Sequence, residues 1–324
     1  MTEPAEKRDL AWLRQVSSFG VSRIILTANN YRLFDHLEGK GKTAGDLAKA
    51  ISADSRAAEL LLNSLVAAGL LLKKDILYRN TSVASKYLVS GKPFYQGDIL
   101  NHYSTLWDNW SGLDTVIKTG KPFRKAHDHE AFILGMHNIA MQKVREVTKS
   151  IRLSGVKSLL DLGGGPGTYA IAFAGKNIEV TLLDFPETLK IAKRLIDSSG
   201  LGSKIKLLPG DFTKTCLGSN YDMVFISQIF HAYNDRDCLS LLKKSAAALK
   251  PGGRVVVHEF YLDETKTNPP QGAIFSINML VNTAGGRSYA PSEISSWMKK
   301  AGFANITEKI LGETVLISGT NKKS

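Results

Sequence analysis

The sequence predicts an α/β protein in which a doubly wound, mostly parallel sheet follows a smaller α-helical domain. Before about residue 155, apolar residues recur at the spacing of amphipathic helices, as in Leu60, Leu61 and Leu65. After it, short β-rich runs alternate with helical stretches, and several runs are continuously apolar, as in parallel strands buried on both faces. We therefore expect one domain over residues 1–150 and a second over residues 151–324.

The second domain should contain strands with helices between them. The predicted strands are Ser158–Leu162, Glu179–Asp184, Lys204–Leu208, Asp222–Ser227, Arg254–Phe260 and Thr314–Ser318. The predicted helices are Thr168–Ala174, Pro186–Asp197 and Cys238–Leu249, and a long helix, Phe132–Ile151, ends the first domain.

The first domain has the pattern of a winged helix. Two short helices, the first capped by Thr43 and the second by Ser52 or Asp54, precede a predicted hairpin at Leu71–Tyr78. A DNA-reading helix carries several long polar side chains on one face. The helix predicted over Ser55–Ala68 is instead rich in Leu and Ala, so we expect it to pack against protein.

The composition is that of a globular chain. The 324 residues are 43% hydrophobic and 22% charged, which excludes a largely disordered protein. Two cysteines make no disulfide framework, the charged N-terminus lacks the apolar core of a signal peptide, and the most apolar stretch is shorter than a membrane span. We expect a cytoplasmic protein.

The net charge of +12 is scattered over the chain, whereas nucleic-acid binders concentrate their excess on one face. A basic soluble enzyme is therefore favoured. The run His127-Asp128-His129-Glu130 is similar to a metal cluster, but it lacks a distant fourth ligand. We expect a solvated loop there and no metal.

A glycine-rich loop joins the first predicted strand to a helix. Residues 158–167, SLLDLGGGPG, place Asp161 at the strand end, just before the glycines that let a backbone approach a ligand. The loop also satisfies a dinucleotide fingerprint. However, Asp161 would repel a pyrophosphate and would attract a cation.

Two more acids end the next two strands. Asp184 can take both hydroxyls of a ribose, and Gly210-Asp211-Phe212 offers a carboxylate and an aromatic face to an adenine. Ligands of open α/β sheets lie beyond the carboxyl ends of the strands, so one crevice collects all three acids. A ribose, an adenine and a positive centre describe S-adenosylmethionine (SAM) better than NAD.

The motifs LLDLGGGPG, LLDFPET, LPGDF, YDMVFISQIFHAYND and LKPGGRVVVHEF resemble, in this order, those of the class I methyltransferases. More narrowly, nearly the whole chain resembles the small-molecule O-methyltransferases that include the caffeate, hydroxyindole and bacterial aromatic-polyketide enzymes. The resemblance implies a Rossmann-like catalytic domain, a winged-helix dimerisation domain, a homodimer and S-adenosyl-L-homocysteine as product. The cofactor-binding positions are then Asp161, Gly163, Gly165, Asp184, Phe185, Gly210, Asp211, Phe212 and Ser227.

His231 follows the strand Asp222–Ser227, so the topology brings it to the cofactor crevice. A histidine titrates near neutral pH and can take the proton of an acceptor hydroxyl. The resemblance implies that His231 is this general base and that Glu259 orients it. His258 should point to the opposite face of the sheet, and we assign it no chemistry.

The chain departs from the plant pattern of the family at four places. A second orienting glutamate is replaced by Ser288, the acid after the histidine by Ala232, a lysine near the cofactor by Ser227, and a serine of the first domain by Ala140. The acceptor pocket of the family would be lined here by Met136, Tyr233 and Met279, with Trp107, Trp110 and Phe275 as looser candidates.

We therefore predict a SAM-dependent O-methyltransferase that acts on a hydroxyl of a small aromatic or polyketide-like acceptor, with no nucleic-acid or membrane partner. The four departures leave two alternatives, a C-methyltransferase and a decarboxylase or cyclase that no longer transfers methyl groups. The charge of +12 and the winged helix motivate a third alternative, a nucleic-acid methyltransferase.

Overall fold

A computed structural model describes residues 5–322, with the side chains described from residue 9 onwards. The chain forms two compact units, of which the first ends at Ser104 and the second begins at Thr105. The predicted boundary between residues 150 and 151 separates the expected dimerisation domain from the expected catalytic domain, and this division stays a prediction.

The first unit is helical and carries one small hairpin. Its elements are α1 (Ala5–Val16), α2 (Gly20–Asn30), α3 (Leu33–His36), α4 (Ala44–Ala50), α5 (Ser55–Ala67), β1 (Leu71–Lys74), β2 (Leu77–Asn80), α6 (Ser82–Tyr87) and the start of α7 (Gly97–Trp110). The two-stranded wing is present, and its turn is made by Asp75, with a positive φ of 56°, and Ile76.

Capping and burial explain the helices of this unit. Thr43 caps α4 through a bond from the Asp46 N–H to its hydroxyl (3.1 Å), and Asp54 caps α5 through a bond from the Ala57 N–H (2.8 Å). The buried face of α5 packs on the wing and on α3 in a single apolar core. The prediction that this helix packs against protein is consistent with that core.

The second unit is built on a seven-stranded sheet in the order β5-β4-β3-β6-β7-β9-β8. Its strands are β3 (Ser158–Leu162), β4 (Glu179–Asp184), β5 (Ile205–Pro209), β6 (Tyr221–Ser227), β7 (Leu249–Phe260), β8 (Phe303–Leu311) and β9 (Thr314–Asn321). Its helices are α8 (Leu113–Thr119), α9 (His129–Ser150), α10 (Thr168–Ala174), α11 (Pro186–Ser199), α12 (Asp235–Ala248), α13 (Pro270–Asn282) and α14 (Pro291–Lys300).

Strands β3 to β7 pair in parallel, and β9 and β8 extend the sheet as antiparallel strands. Alternate residues of the central strands enter two separate apolar cores. Leu159 and Phe225 belong to one core, and Leu160 and Val224 to the other. Both faces of the sheet are therefore buried, and this accounts for the continuous apolar runs of the sequence.

Two features of the sheet differ from the predicted strands. Strand β8 is absent from the prediction because it is an edge strand whose central residues are exposed, so its sequence lacks an apolar run. Strand β7 begins at Leu249 rather than at Arg254, since it pairs with β6 on both sides of an irregularity between Tyr221 and Met223.

Helix α9 begins three residues before the predicted start at Phe132. Asp128 caps it by accepting a bond of 2.9 Å from the Ala131 N–H, which places His129 and Glu130 in the first turn. Within the part of the chain that the structure describes, no helix is both long enough and apolar enough to cross a bilayer.

At the amino end of the sheet, the Asp222 carboxylate joins β6 to the start of β3 and to β7. It accepts bonds of 2.9 Å from the N–H groups of both Lys157 and Ser158 and one of 2.7 Å from Lys250 Nζ. Burial by itself would raise the pKa of Asp222, but Lys250 and the two N–H groups outweigh it and lower the pKa to about 2.

We expect Asp222→Asn to lower the free energy of unfolding by about 2 kcal/mol at neutral pH. An acid whose pKa is lowered by folding stabilises the protein above its unfolded pKa, and this contribution is lost as the pH falls from about 4 to about 2. Urea unfolding of both proteins at pH 7 and pH 3 measures it. A stability difference that stays constant with pH would contradict this account.

Candidate active site

The carboxyl ends of four parallel strands form one edge of the sheet. β3 leads into the glycine loop, β4 ends at Asp184, Gly210 follows β5, and β6 ends at Ser227. Because these strands are neighbours in the order β5-β4-β3-β6, the cofactor residues named from the sequence lie along one edge. Open α/β sheets bind their ligands there.

The backbone of the glycine loop is left-handed at three positions. φ is 68° at Gly163, 55° at Gly165 and 75° at Gly167, a region that L side chains rarely adopt. Gly164 is required for a different reason, since a Cβ there would lie 2.6 Å from Asp161 Oδ2. The loop thus closes tightly over the Asp161 carboxylate.

Asp161 is a buried acid, only 1% exposed. Neither of its carboxylate oxygens has a hydrogen-bond partner among the described residues. Burial, and then the nearby charge of Asp184, raise its pKa to about 7, and the dipole of the nearby Ala170 N–H, which is not in hydrogen-bond geometry, opposes this only in part. A buried carboxylate in this state is a favourable partner for a cation.

Asp184 is buried as well, but two backbone donors hold its carboxylate. The Gly165 N–H donates to Oδ2 at 2.8 Å and the Phe185 N–H donates to Oδ1 at 2.7 Å, and the nearby Thr188 hydroxyl also lowers the pKa of this acid. Burial raises the pKa of Asp184 in spite of these bonds, which lower it. The Gly165 bond joins the glycine loop to the end of β4.

An aromatic cluster lies beside Asp184. The Phe212 ring contacts the Phe185 ring at a centroid distance of 5.9 Å and the Tyr233 ring at 6.0 Å. Lys244 holds the Phe212 loop, because its Nζ donates at 2.8 Å to the carbonyls of both Phe212 and Thr215. Our sequence reasoning missed Lys244, since a lysine on an amphipathic helix carries no local sign of this role.

Asp211 binds its own loop. Its Oδ1 accepts from the N–H (2.9 Å) and the hydroxyl (2.5 Å) of Thr213, and the hydroxyl bond is the main cause of its lowered pKa. A Cβ on Gly210 would lie 2.4 Å from Thr215 Oγ1, so the loop turns back sharply at that glycine. The cofactor-binding roles of Gly210 and Asp211 stay predictions.

His231 lies in a short 3₁₀ turn, Phe230–Ala232, beyond β6. Its Nδ1 is 2.8 Å from Glu259 Oε2, and the other carboxylate oxygen accepts the Phe230 N–H at 2.7 Å. Since an ionised carboxylate only accepts hydrogen bonds, Nδ1 carries the proton and donates it in this bond, and Nε2 of the same tautomer has a lone pair that can take up a proton. The rings of Phe260 and Phe275 flank the imidazole at 5.6 and 4.9 Å.

Glycine and serine near His231 explain how the site is built without a second glutamate. A Cβ on Gly286 would lie 2.2 Å from the His231 carbonyl oxygen, so this glycine permits close packing against the His231 turn. Ser288, at the place of the missing glutamate, donates its hydroxyl to the Gly272 carbonyl at 2.8 Å. Glu259 and the two phenylalanines therefore position the imidazole.

Ser227 belongs to a second buried polar group. Its hydroxyl is 2.9 Å from His258 Nδ1, and the His258 ring meets Tyr169 edge-on and stacks on Phe225. These aromatic residues belong to the core on one face of the sheet, whereas Phe230, beside Glu259, belongs to the other. Burial lowers the pKa of His258 to about 4, so this histidine stays neutral at physiological pH.

The acceptor-pocket candidates come from three elements. Met136 is half-buried on α9, Met279 is buried on α13, and Tyr233 is half-buried just after His231. Phe275 lies four residues before Met279 and so shares its helix face, which brings that face to the His231 ring. Their contact with an acceptor stays a prediction.

Two asparagines of α13 accept hydrogen bonds from the end of α7. Trp110 Nε1 donates to Asn278 Oδ1 at 3.0 Å, and Asn109, which is buried, donates to Asn282 Oδ1 at 2.9 Å. Trp110 is therefore engaged in holding α13. The prediction of a loop over residues 127–130 is wrong for its second half, because Asp128 caps α9 and His129 and Glu130 form the first helical turn. The described residues include no group of three or more His, Cys, Asp or Glu that could hold a metal ion.

Family models match both parts of the chain. The O-methyltransferase domain matches residues 106–304, and the O-methyltransferase dimerisation domain matches residues 13–90. The chain therefore belongs to the O-methyltransferase family, and it is a SAM-dependent methyltransferase. The predicted family, fold class and cofactor are confirmed, and membership selects O-methyl transfer from the alternatives raised by the sequence.

Named relatives agree with this assignment. The chain is 30% identical to 3-hydroxy-5-methyl-1-naphthoate 3-O-methyltransferase of Streptomyces sahachiroi, over 85% of this chain and 83% of that protein. It is 28% identical to acetylserotonin O-methyltransferase of Gallus gallus, over 92% of each chain. The structure of human N-acetylserotonin methyltransferase in complex with SAM has a TM-score of 0.89 and 25% identity, over 99% of both chains.

The residues at the sheet edge suit the cofactor. Asp161 is a buried carboxylate without a hydrogen-bond partner among the described residues, which fits a molecule that carries an ammonium and a sulfonium. Gly164 leaves no room for a side chain above Asp161, so only backbone can approach a ligand there. Asp184 and Phe212 offer a carboxylate and an aromatic ring next to each other.

We expect Asp161→Asn to change how stability depends on pH. An acid whose pKa is raised by folding, here from 3.8 to about 7, destabilises the protein progressively as the pH rises through that interval. The variant has no carboxyl group here and does not undergo this destabilisation. The difference in free energy of unfolding, variant minus wild type, should therefore rise by up to about 4 kcal/mol between pH 4 and pH 8.

Chemical unfolding of both proteins without cofactor, at several pH values in this range, measures the effect of Asp161→Asn. The readout is the change with pH and not the absolute stability, because an asparagine in this position is also buried. Parallel pH profiles for the two proteins would show that Asp161 is ionised at neutral pH and would contradict the assignment.

Proposed function

We propose that the enzyme transfers the methyl group of SAM to a hydroxyl of a small aromatic or polyketide-like acceptor, with His231 as general base. The observation that carries this proposal is the bond between His231 Nδ1 and Glu259 Oε2 (2.8 Å) beside the carboxyl edge of the sheet. Relatives whose names specify a naphthoate and acetylserotonin support an aromatic acceptor.

His231 would take the proton of the acceptor hydroxyl at Nε2. A phenolic hydroxyl is a weak nucleophile until it loses its proton, and general bases contribute about 10²–10⁴-fold to rate. Bound SAM supplies an electrophilic methyl group on a sulfonium. Glu259, which is 3% exposed, stabilises the imidazolium that forms and keeps the ring in the correct tautomer.

The surroundings of His231 favour a flat, apolar acceptor. Phe260 and Phe275 lie with ring centroids 4.2 Å apart and form an aromatic wall beside the imidazole. Met279, on the same face of α13 as Phe275, would extend the wall with a polarisable thioether, and Met136 and Tyr233 would complete the pocket. Positioning of the hydroxyl against the methyl group supplies the rest of the catalysis.

The cofactor would bind along the edge formed by β3 to β6. Asp184 would accept the ribose hydroxyls, Phe212 would pack on the adenine with Phe185 beside it, and Asp161 would face the positive charge. The glycine loop, through Gly163 and Gly165, would let the backbone approach the methionyl group. The residues 151–324 would thus form the cofactor-binding domain.

Residues 1–150 would form the dimerisation and lid domain of a homodimer. The dimerisation model matches residues 13–90, and α1 exposes three apolar side chains, Trp12, Leu13 and Val16, each more than half exposed. Apolar side chains gathered on one helix face mark interaction surfaces. A second copy of the chain would cover them, and the predicted cytoplasmic location remains a prediction.

We expect His231→Ala to lower kcat by about 10²-fold or more while the Kd for SAM changes by less than about twofold. The measurement uses SAM labelled in its methyl group, a set of hydroxynaphthoates and hydroxyindoles, and counting of label in the organic-soluble product. Glu259→Gln should give a smaller fall, since a neutral amide still accepts from Nδ1 but stabilises the imidazolium less.

Equal turnover by wild type and His231→Ala would eliminate His231 as the general base. Label transferred to no aromatic hydroxyl, but to a non-aromatic acceptor of a cell extract, would overturn the proposed acceptor class. His36→Ala is the matched control, because His36 lies at the end of α3 in the first compact unit, and it should turn over the acceptor as the wild type does.

We expect the double substitution Leu13→Glu and Val16→Glu to convert the dimer into a monomer, because each carboxylate would be buried without a partner in the interface. Gln15→Glu, which adds a charge at an exposed position of the same helix, is the control and should remain dimeric. Light scattering after size-exclusion chromatography gives the mass. A wild-type mass of a single chain would refute the homodimer.

A further inference from the structure

Two histidines of α9 contact the helices that follow the two cofactor-binding loops. His129 Nε2 is 3.2 Å from the hydroxyl of Thr188, in the first turn of α11. His137 Nδ1 is 2.7 Å from the hydroxyl of Thr168, the first residue of α10. The methyltransferase mechanism described above uses neither histidine.

Thr188 connects His129 to the end of β4. It is only 2% exposed and lies four residues after Asp184, in the first turn of α11. Its hydroxyl is close enough to the Asp184 carboxylate to lower the pKa of that acid. His129 therefore holds the first turn of α11 next to Asp184.

Thr168 connects His137 to the glycine loop. It directly follows Gly167, whose left-handed φ of 75° ends the loop, and it is 4% exposed. Its bond to His137 fixes the point at which the loop enters α10. At the other end, the N–H of Gly165 in the loop donates to Asp184 at 2.8 Å.

These three bonds and the chain between them form a closed path. It runs from α9 through His129 to Thr188, back along the first turn of α11 to Asp184, through Gly165 along the glycine loop to Thr168, and returns to α9 at His137. An ion pair between Glu130 and Arg194 adds a further link between α9 and α11. The positions of the two cofactor loops are therefore coupled through one helix.

We propose that His129 and His137 are positioning residues for the cofactor, which hold Asp184 and the glycine loop in register through Thr188 and Thr168; we call these two histidine–threonine contacts the clamp. This inference rests on the proposed role of Asp184 in binding the cofactor. Such a role affects the affinity for SAM and S-adenosylhomocysteine, and it leaves the chemical step to His231. Loss of one such hydrogen bond corresponds to about a 5–10-fold change in affinity.

The test measures the Kd of S-adenosylhomocysteine by titration calorimetry and kcat at saturating SAM. His129→Ala and Thr188→Val should each raise Kd about 5–10-fold with kcat within about twofold of wild type. His129→Gln, whose amide N–H can donate to Thr188, and Thr188→Ser, which keeps the hydroxyl, should restore the affinity. The double variant His129→Ala, Thr188→Val should be no weaker than either single variant, because both remove the same contact.

For the second contact, His137→Ala should raise Kd and His137→Asn should restore it, since an asparagine nitrogen lies close to the place of Nδ1. His127→Ala is the matched control. The His127 ring touches that of His129 at a centroid distance of 5.9 Å, but within the described part of the chain it makes no hydrogen bond to Thr188. It should bind S-adenosylhomocysteine as the wild type does.

Asp184→Asn separates this inference from the proposed function. If Asp184→Asn raises Kd but His129→Ala and His137→Ala do not, the clamp is refuted and the role of Asp184 stands. If Asp184→Asn leaves Kd unchanged, the proposed role of Asp184 is itself wrong. Equal losses in His127→Ala and His129→Ala, or a failure of the Gln, Asn and Ser variants to restore affinity, would also overturn the clamp.

Discussion

The parallel pairing of β3, β4, β5 and β6 is the constraint on which the rest of the site depends. Because these strands run in one direction, the chain leaves the sheet at the same edge four times. Each time, a loop or strand end with predicted cofactor-binding residues lies at that edge. Register matters as much as direction. Asp161 pairs with Leu182 on one side and Phe225 on the other, and a slip of one residue would reverse the faces of these side chains.

Three buried carboxylates near this edge differ in how many hydrogen-bond partners they have. Glu259 has a partner for each oxygen, the imidazole of His231 and the Phe230 N–H. Asp184 accepts hydrogen bonds from two backbone N–H groups, while Asp161 has no hydrogen-bond partner among the described residues. The free energy of burial is thus offset at Glu259, partly offset at Asp184 and left open at Asp161, where a cation has most to gain.

His231 and His258 lie in different surroundings. His231 is half-buried, its Nδ1 is bonded to Glu259, and the Phe275 ring of α13 lies against its imidazole. His258 is fully buried among Tyr169 and Phe225, and its lowered pKa keeps it neutral. The adjacent β7 residues Glu259 and His258 therefore differ in role: Glu259 binds the proposed general base, and His258 packs in the core on the other face of the sheet.

Helix α9 carries residues that we propose for both the cofactor site and the acceptor pocket. It carries Met136, a candidate of the acceptor pocket, directly before His137, and its first turn carries His129 and Glu130. A sequence boundary at residue 150 assigns this helix to the first domain. Its packing on α10 and α11 and its three polar contacts with them belong to the second compact unit.

The sequence by itself determined the fold class, the order of the motifs, the family and the cofactor. These follow from local patterns: apolar runs predict buried strands, glycines mark a loop, and an acid at each strand end marks the crevice. It did not reveal β8, whose exposed edge position removes the apolar run. Only the tertiary structure decided which side chains meet, as with Lys244 and the Phe212 carbonyl, Ser227 and His258, or His129 and Thr188. Such contacts join residues that lie tens of positions apart, and their chemistry depends on burial and orientation, which no local spacing in a single chain records.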